Sequence, residues 1–213
     1  MQAAAFAGPR RALLRNQDGN HEALKLFTQV PARPPWYKEG WCLFRSEDAA
    51  EGARVAAFDF DKTLHHGGMA WRLSSAHIPG RLRQLHEEGY RIVIFSNQHG
   101  PGRQRTREAM QAEVRDITAR FDDFASFCRV PLQIFVAAAR GDVGDAFRKP
   151  NIGMWELLCS SRCSRGTLPD PALSFYVGNS AGRKTDGNDV DRQFAQRLGL
   201  KFYTEAFLTS RGA

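Results

Sequence analysis

The segment Arg54–Leu64, RVAAFDFDKTL, contains the pattern that decides the expected fold. Its apolar half predicts a buried strand, and the strand ends directly in two acids, Asp59 and Asp61. Alternate side chains of an extended chain lie on the same face, so the end of this strand can direct both carboxylates into one pocket. The simpler interpretation of the motif D-x-D alone is that its two acids cap a turn. D-x-D-x-T directly after an apolar strand favours a reactive site.

Four further apolar runs follow, and segments with helical spacing separate them. The predicted strands are Arg91–Ser96, Leu132–Ala138, Leu173–Gly178 and Lys201–Tyr203, and the predicted helices are Pro79–Glu88, Arg103–Phe127, Ile152–Leu158 and Val190–Leu198. Such alternation of strands and helices indicates an α/β three-layer sandwich, with helices on both faces of a central parallel sheet. In sheets of this kind the functional site lies at the carboxyl ends of the strands.

Polar side chains follow the predicted strands at that edge. Ser96 and Asn97 close the second strand, Lys149 follows the third, and Asn179 follows the fourth. Carboxylates, a hydroxyl, an amide and a lysine together suit phosphoryl transfer. One carboxylate can attack phosphorus, a second can handle the leaving-group proton, and the hydroxyl and ammonium can hold phosphoryl oxygens. A hard divalent cation on oxygen ligands can offset the charge of a carboxylate that meets a phosphate.

Composition narrows the class of protein. The chain has 213 residues, with 30 Lys and Arg against 23 Asp and Glu, and a net charge of +7. This length fits one domain with a short appendage, and a hydrophobic fraction of 42% suffices for a core. No apolar run approaches the roughly 20 residues of a membrane helix. Four cysteines do not make a disulfide scaffold. The positive charge favours a polyanionic partner, although basic proteins without one are also common.

Composition also divides the chain into three parts. Residues 1–20 predict a basic flexible tail or a targeting segment, because no acid precedes Asp18 and several arginines do. Residues 21–53 predict an irregular extension rich in proline and aromatic residues, which either braces the main domain or offers a stacking surface to nucleic acid. Residues 54–213 form the predicted main domain.

Five segments resemble the haloacid-dehalogenase superfamily and, within it, the phosphatase domain of the polynucleotide kinase/3'-phosphatase family. They are FDFDKTL, GYRIVIFSNQHGPGR, FRKPNIGMW, YVGNSAGR and DRQFAQRLGL, and they extend roughly from Val55 to Phe207. The second and third distinguish this branch from sugar and small-metabolite phosphatases. The sequence has no G-x-x-x-x-G-K-[ST] motif, so the resemblance implies a stand-alone DNA 3'-phosphatase with a haloacid-dehalogenase-like sandwich.

The resemblance implies a role for each matching residue. Asp59 would be the nucleophile that forms an aspartyl-phosphate. Asp61 would be the general acid that protonates the departing sugar oxygen, and then the base that activates water. The supporting residues would be Ser96 and Lys149 for the phosphoryl oxygens, and Thr63 and Asn97 for the loops around them.

Magnesium is the cofactor that the resemblance implies. Its ligands would be the Asp59 carboxylate, the Asp61 backbone carbonyl and the residue at position 179. The family has an aspartate there and this chain has Asn179, whose amide oxygen can still ligate a cation but carries no charge. Weaker magnesium binding, or loss of turnover, would follow. Asp186, Asp189 or Asp191 could supply the missing charge, and Asp186 is favoured because the family pattern also has an acid there.

The substrate is expected to be a polymer end. Neither the interval from Leu64 to Pro79 nor the one from Gln98 to Lys149 is long enough for a large cap domain, so the site should be open.

Basic residues close to the motifs predict that the partner is DNA. Arg103, Arg148 and Arg183 match family positions and are expected to contact DNA backbone phosphates. No base-reading motif is present, so DNA binding should be independent of sequence.

We therefore predict a magnesium-dependent phosphomonoesterase that removes 3'-phosphate from DNA ends at strand breaks and acts in DNA repair. It would be a monomer, in the nucleus or alternatively in mitochondria. Two alternatives remain open. One is a small-molecule phosphatase of the same superfamily, and the other is a DNA-end binding protein that has lost turnover through Asn179.

Overall fold

The computed structural model describes residues 18–46, 50–66 and 72–209. The predicted tail or targeting segment, residues 1–20, lies outside the described residues except for 18–20, which begin the first helix. The helices are α1 Asp18–Gln29, α2 Ile78–Glu87, α3 Gly100–Arg103, α4 Arg107–Cys128, α5 Gly153–Cys159 and α6 Val190–Leu198. The strands are β1 Tyr37–Glu39, β2 Cys42–Arg45, β3 Val55–Phe58, β4 Arg91–Asn97, β5 Leu132–Ala137, β6 Phe175–Val177 and β7 Lys201–Tyr203.

The strands of the described residues form one sheet in the order β1-β2-β5-β4-β3-β6-β7. In this order the five strands β5, β4, β3, β6 and β7 pair in parallel. At one edge β1 pairs antiparallel with β2, and β2 pairs antiparallel with β5. β3 therefore lies at the centre, between β4 and β6. The prediction of an α/β fold with a mainly parallel sheet is confirmed.

Both faces of the sheet are covered, because its strands are apolar on both sides. On one face Ile92 and Ile94 of β4 pack in a cluster with residues of α2 and α4, including Phe121. On the other face Val93 and Phe95 pack in a second cluster with residues of α5 and α6. The alternation along β4 thus produces the three layers of the sandwich.

Residues 21–53 are not the irregular extension that the sequence predicted. They contain most of α1 and the β1-β2 hairpin, and β2 pairs antiparallel with β5. Trp36, Trp41 and Phe44 are buried, and Trp41 stacks on Phe27 with ring centroids 4.8 Å apart. Buried rings cannot stack on nucleic acid, so these three brace the domain. The hairpin covers a β5 edge whose backbone groups would otherwise be unpaired.

The long helix after β4 also differs from the prediction, which started it at Arg103. Gln104 is extended, with ψ 144°, and ends the short α3. Thr106 then caps α4, because its side chain accepts a hydrogen bond from the Ala109 N–H at 3.2 Å. The Thr cap, not the apolar periodicity, fixes the start of the helix.

The cleft at the carboxyl ends of the strands is open. In the described residues, the interval between β3 and α2 contains only isolated bridges, Asp61 to His65 and His65 to Leu73, and the one between β4 and β5 is filled by α3 and α4. The expected absence of a large cap domain therefore holds for this part of the chain. None of the helices described has both the length and the apolar character needed to cross a membrane.

The hairpin should be part of the cooperative core. Trp41→Ala removes a side chain that is 1% exposed, and we expect it to lower the free energy of unfolding by about 3–5 kcal/mol. Tyr37→Ala, in the same hairpin but 36% exposed, should lower it by less than half as much. Urea unfolding of both variants measures this, and a loss for Trp41→Ala as small as that expected for Tyr37→Ala would show that the hairpin does not belong to the core.

Candidate active site

The carboxyl ends of β3, β4 and β6 converge on one cleft. The Asp59 N–H donates to the Val177 carbonyl at 2.8 Å, which joins the end of β3 to the end of β6. Asp59, Asp61, Ser96, Lys149 and Asn179 all line this cleft. The structure therefore brings together side chains that the sequence separates by up to 120 positions, counted from Asp59 to Asn179 (179 − 59 = 120).

A buried lysine lies at the base of the cleft. The Lys149 ammonium is 2.7 Å from Asp59 Oδ1, 2.8 Å from Asp191 Oδ1 and 2.7 Å from the Tyr176 hydroxyl. The Tyr176 hydroxyl in turn donates to Asp191 Oδ1 at 3.1 Å. One ammonium is thus shared between two carboxylates, away from water. Removal of Lys149 would leave two buried carboxylates uncompensated, and removal of Asp191 would take an acceptor from the Tyr176 hydroxyl.

These neighbours oppose one another in their effect on protonation. Burial raises the pKa of Asp59 to about 7; the charge on Lys149 counteracts this, and Asp191 and Asp61 add to it. Burial opposes the positive charge of Lys149, but Asp191 and Asp59 outweigh it and raise the Lys149 pKa. Lys149 therefore stays cationic at neutral pH, beside a carboxylate that is poised to change protonation state.

Glycine at position 178 allows Asp191 to reach Lys149. A Cβ atom at Gly178 would lie 2.6 Å from Asp191 Cγ, which is closer than real contacts allow. Asp191 Oδ2 also accepts the Ser180 N–H at 2.9 Å. The glycine of YVGN therefore provides the space into which the buried acid fits.

Asn97 holds the backbone of Lys149 at two points. Its Oδ1 accepts the Lys149 N–H at 2.9 Å, and its Nδ2 donates to the Lys149 carbonyl at 3.0 Å. The preceding loop is held by Asp145, whose Oδ2 accepts the N–H groups of Phe147 and Arg148 at 3.1 and 3.0 Å. Asn97 and Asp145 thus orient Lys149 without touching its ammonium.

Asp61 lies in a different environment from Asp59. Its side chain is 37% exposed, and it contacts His65 Nδ1 at 3.2 Å and Gln98 Nε2 at 2.5 Å. The same Gln98 nitrogen is 3.0 Å from Ser96 Oγ, and its Oε1 accepts from Arg120 at 3.1 Å. Gln98 therefore couples the position of Asp61 to that of Ser96.

Asp59, Asp61 and Asn179 form the candidate cation site. The Thr63 hydroxyl joins the two loops involved, because it is 3.3 Å from Asp59 Oδ2 and accepts the Asn179 backbone N–H at 3.1 Å. In the described residues no three His, Cys, Asp or Glu side chains form a metal-binding group. The Asp59 carboxylate, the Asp61 carbonyl and the Asn179 amide oxygen are nevertheless donors that suit a hard cation. These three groups suit magnesium as ligands, and together they carry one formal negative charge, that of the Asp59 carboxylate.

Two predicted residues form other contacts. Asp186 accepts from Arg183 Nε at 2.9 Å and from the N–H groups of Ala181 and Arg183, and Arg183 lowers the pKa of Asp186 to about 2. Arg183 also pairs with Glu205 at 3.0 Å. Asp186 thus caps its own loop, and the acid that reaches Lys149 is Asp191. The predicted DNA-binding Arg183 is already held by two carboxylates.

Basic side chains lie at the rim of the cleft. Arg148, Lys62 and His99 line it, and the predicted DNA-binding residue Arg103 is close enough that burial, Arg103 and Arg148 together lower the pKa of His99. Lys62 has φ 61°, in the left-handed region that glycine adopts more readily than lysine. An anionic ligand would meet Arg148 and Lys62 as it enters.

Sequence reasoning missed Tyr176 and Arg120 as neighbours of the site. Tyr176 lies within an apolar strand and looks like a core residue, and Arg120 lies on α4, far from any motif. A tyrosine in a strand next to a strand that ends in acids was the available signal for Tyr176. Arg120 gave none.

The comparisons with known proteins agree with this geometry. A family model described as polynucleotide kinase 3 phosphatase matches residues 54–207. Polynucleotide 3'-phosphatase ZDP of Arabidopsis thaliana is 37% identical over 83% of this chain and 27% of its own length. The bifunctional polynucleotide phosphatase/kinase of Schizosaccharomyces pombe is 31% identical over 71% of this chain and 36% of its own length. The chain therefore spans only a minor part of these relatives.

A solved structure supports the fold independently. The crystal structure of a protein described as a HAD-like phosphatase, from Mesorhizobium loti, matches with a TM-score of 0.55 at 17% identity. The match covers 77% of this chain and 78% of that chain. The haloacid-dehalogenase-like sandwich expected from the sequence is confirmed.

Asp145 should make stability depend on pH. Burial raises its pKa to about 6 from 3.8, so between these values the folded protein keeps a proton that the unfolded chain has lost. The free energy of unfolding should therefore fall by at most about 3 kcal/mol, through Asp145, as the pH rises from 4 to 6. Asp145→Asn should reduce the observed slope to the part contributed by Asp59, whose pKa is also raised, and the exposed Asp116→Asn should retain the whole slope. Urea unfolding across this range tests the expectation, and identical slopes for all three proteins would contradict it.

Proposed function

The chain belongs to the polynucleotide kinase 3 phosphatase family, and from this membership we propose that it hydrolyses the 3'-phosphate from DNA ends at strand breaks. The observation that carries the proposal is the pair of acids in FDFD. Asp59 is buried against the Lys149 ammonium at 2.7 Å, and Asp61 is 37% exposed at the mouth of the same cleft. One acid is placed to react with phosphorus and the other to exchange protons with the leaving group.

In the first step an oxygen of Asp59 attacks phosphorus. The new Asp59–phosphorus bond replaces the bond from phosphorus to the sugar O3', and Asp61 donates a proton to that oxygen, which leaves as a 3'-hydroxyl. In the second step Asp61 takes a proton from water, the resulting hydroxide attacks phosphorus, and inorganic phosphate leaves. Asp59 is then regenerated as a carboxylate.

Lys149 and Ser96 hold the phosphoryl group in this proposal. The ammonium bound to Asp59 Oδ1 supplies positive charge where phosphoryl oxygens accumulate negative charge, in a site largely shielded from water. The Ser96 hydroxyl lines the cleft from the adjacent strand and can donate to a phosphoryl oxygen.

Magnesium is the proposed cofactor. The Asp59 carboxylate, the Asp61 carbonyl and the Asn179 amide oxygen would hold it. When bound, it supplies positive charge that reduces the repulsion between the Asp59 carboxylate and the phosphate.

The open, basic cleft supports DNA as the substrate. Arg148 and Lys62 line its entrance, Arg103 lies close enough to lower the pKa of His99 there, and no cap closes it among the described residues. Such a site admits the end of a polymer and neutralises its backbone charge, without selection for sequence. We propose that the protein acts on such ends as a monomer in DNA repair.

The test is phosphate release from a nicked duplex that carries a 3'-phosphate. Wild type with magnesium should release phosphate, and Asp59→Asn should reduce the rate by on the order of 10³-fold or more. Asp123→Asn, an exposed matched control on α4, should leave the rate unchanged. No release by wild type would exclude the proposal. Equal turnover of sugar phosphates, without competition from DNA, would instead favour a small-molecule phosphatase.

Gln98 should affect the rate of hydrolysis only when the leaving group needs a proton. Gln98→Leu removes the amide that positions Asp61, so we expect a roughly 10–100-fold fall in kcat for a DNA 3'-phosphate. The loss should be much smaller for p-nitrophenyl phosphate, whose leaving group needs little protonation. Gln196→Leu, on an exposed face of α6, is the control. Equal losses with both substrates would mean that Gln98 supports the fold and does not position the acid.

A further inference from the structure

The side-chain amide of Asn179 lies where the two other candidate metal ligands meet. Its terminal atom that faces them is 3.2 Å from Asp59 Oδ2, 3.0 Å from the Asp61 carbonyl oxygen and 3.3 Å from Thr63 Oγ1. The Asp61 carbonyl can only accept hydrogen bonds, and so can the Asp59 carboxylate while it is ionised beside Lys149. An amide oxygen at this point would face acceptors, whereas an amide nitrogen donates to them. The hydrogen-bonding surroundings therefore assign the NH2 group to this position.

We propose that the Asn179 NH2 group substitutes for the divalent cation as the positive partner of Asp59 and the Asp61 carbonyl. The partial positive charge on its two hydrogens is directed at the same two oxygens that would ligate magnesium. The protein can therefore keep these ligands converged by its own hydrogen bonds. This inference rests on the proposed function, because it concerns the cation site of that reaction.

Cation binding then requires the amide to turn. Magnesium needs the Asn179 oxygen, so the amide must rotate by half a turn and give up its bonds to Asp59 and Asp61. Thr63 makes both orientations possible, because a hydroxyl can accept from the amide nitrogen in one and donate to the amide oxygen, at 3.3 Å, in the other. The cation therefore competes with an internal hydrogen-bond donor, which a family member with aspartate at this position does not have.

An aspartate at position 179 would behave in the opposite way. A second carboxylate would face Asp59 Oδ2 and the Asp61 carbonyl with no donor between them, and like charges at this distance repel. A cation would relieve that repulsion. Asparagine thus favours a site that is stable without a cation and binds it weakly, and aspartate favours a site that depends on it.

Thermal unfolding in chelator and in excess magnesium chloride tests this difference. Compared with wild type, Asn179→Asp should have a lower Tm in chelator, a several-fold larger rise in Tm with magnesium, and at least roughly tenfold tighter magnesium binding by calorimetry. Asn188→Asp is the matched control, because it adds the same charge at the rim of the same cleft, on an exposed residue that does not face Asp59. It should resemble wild type.

The outcomes separate clearly. An Asn179→Asp variant that folds only with magnesium supports the proposal. One that is as stable as wild type in chelator, or that responds to magnesium no more than wild type or Asn188→Asp, overturns it. None of these measurements uses DNA or turnover, so the result stands whether or not the protein proves to be a 3'-phosphatase.

Wild type provides a second test if Asn179→Asp does not fold in either condition. The chain contains six asparagines, so selective ¹⁵N labelling gives a small set of side-chain NH2 signals, and Asn179→Ser identifies one of them by its loss. In chelator the Asn179 NH2 should exchange with water more slowly than that of the exposed Asn188, and magnesium should shift the Asn179 signal selectively. Exchange as fast as that of Asn188 in chelator would overturn the proposal.

Discussion

The buried Lys149 ammonium is the interaction on which the rest of the site depends. Asp59 and Asp191 could not both lie in this dry pocket without a shared cation, because each buried carboxylate would lose its hydration uncompensated. The surrounding structure serves that arrangement. Asn97 fixes the lysine backbone from β4, Gly178 leaves room for Asp191, and Tyr176 occupies the remaining side of the ammonium. The same ammonium that stabilises the fold places a positive charge directly beside Asp59.

Two acids from one short motif receive different properties from their surroundings. Burial raises the pKa of Asp59 although Lys149 counteracts it, whereas Asp61 is partly exposed and lies beside His65, Gln98 and the Arg120 guanidinium, which is 3.9 Å from its Oδ1. The different roles proposed for them, nucleophile and proton donor, rest on this difference in environment, since the chemical groups are identical. The positions that create the difference belong to other strands and loops, so D-x-D alone does not encode it.

Sequence reasoning succeeded where the information was local. Apolar runs identified β3 to β7, and the polar residues after them identified Asp59, Ser96 and Lys149 as neighbours. It failed where pairing depended on distant contacts. The β1-β2 hairpin consists of strands of three and four residues after a proline-rich stretch, and only the β5 edge makes them strands. One local pair was missed as well, because Arg183 and Asp186, three positions apart, looked available for ligands but bind each other.

The hairpin also shows that the range matched by the family model and the physical unit are different. The match begins at residue 54, but the Trp41 carbonyl accepts the Ala138 N–H, directly before the loop that leads to Arg148 and Lys149. Truncation at residue 54 would expose the β5 edge and release one support of that loop. A boundary at residue 54 would thus cut through a folded body that begins by Asp18. The hairpin, although outside the family-model match, helps to hold the loop that carries Lys149 in place.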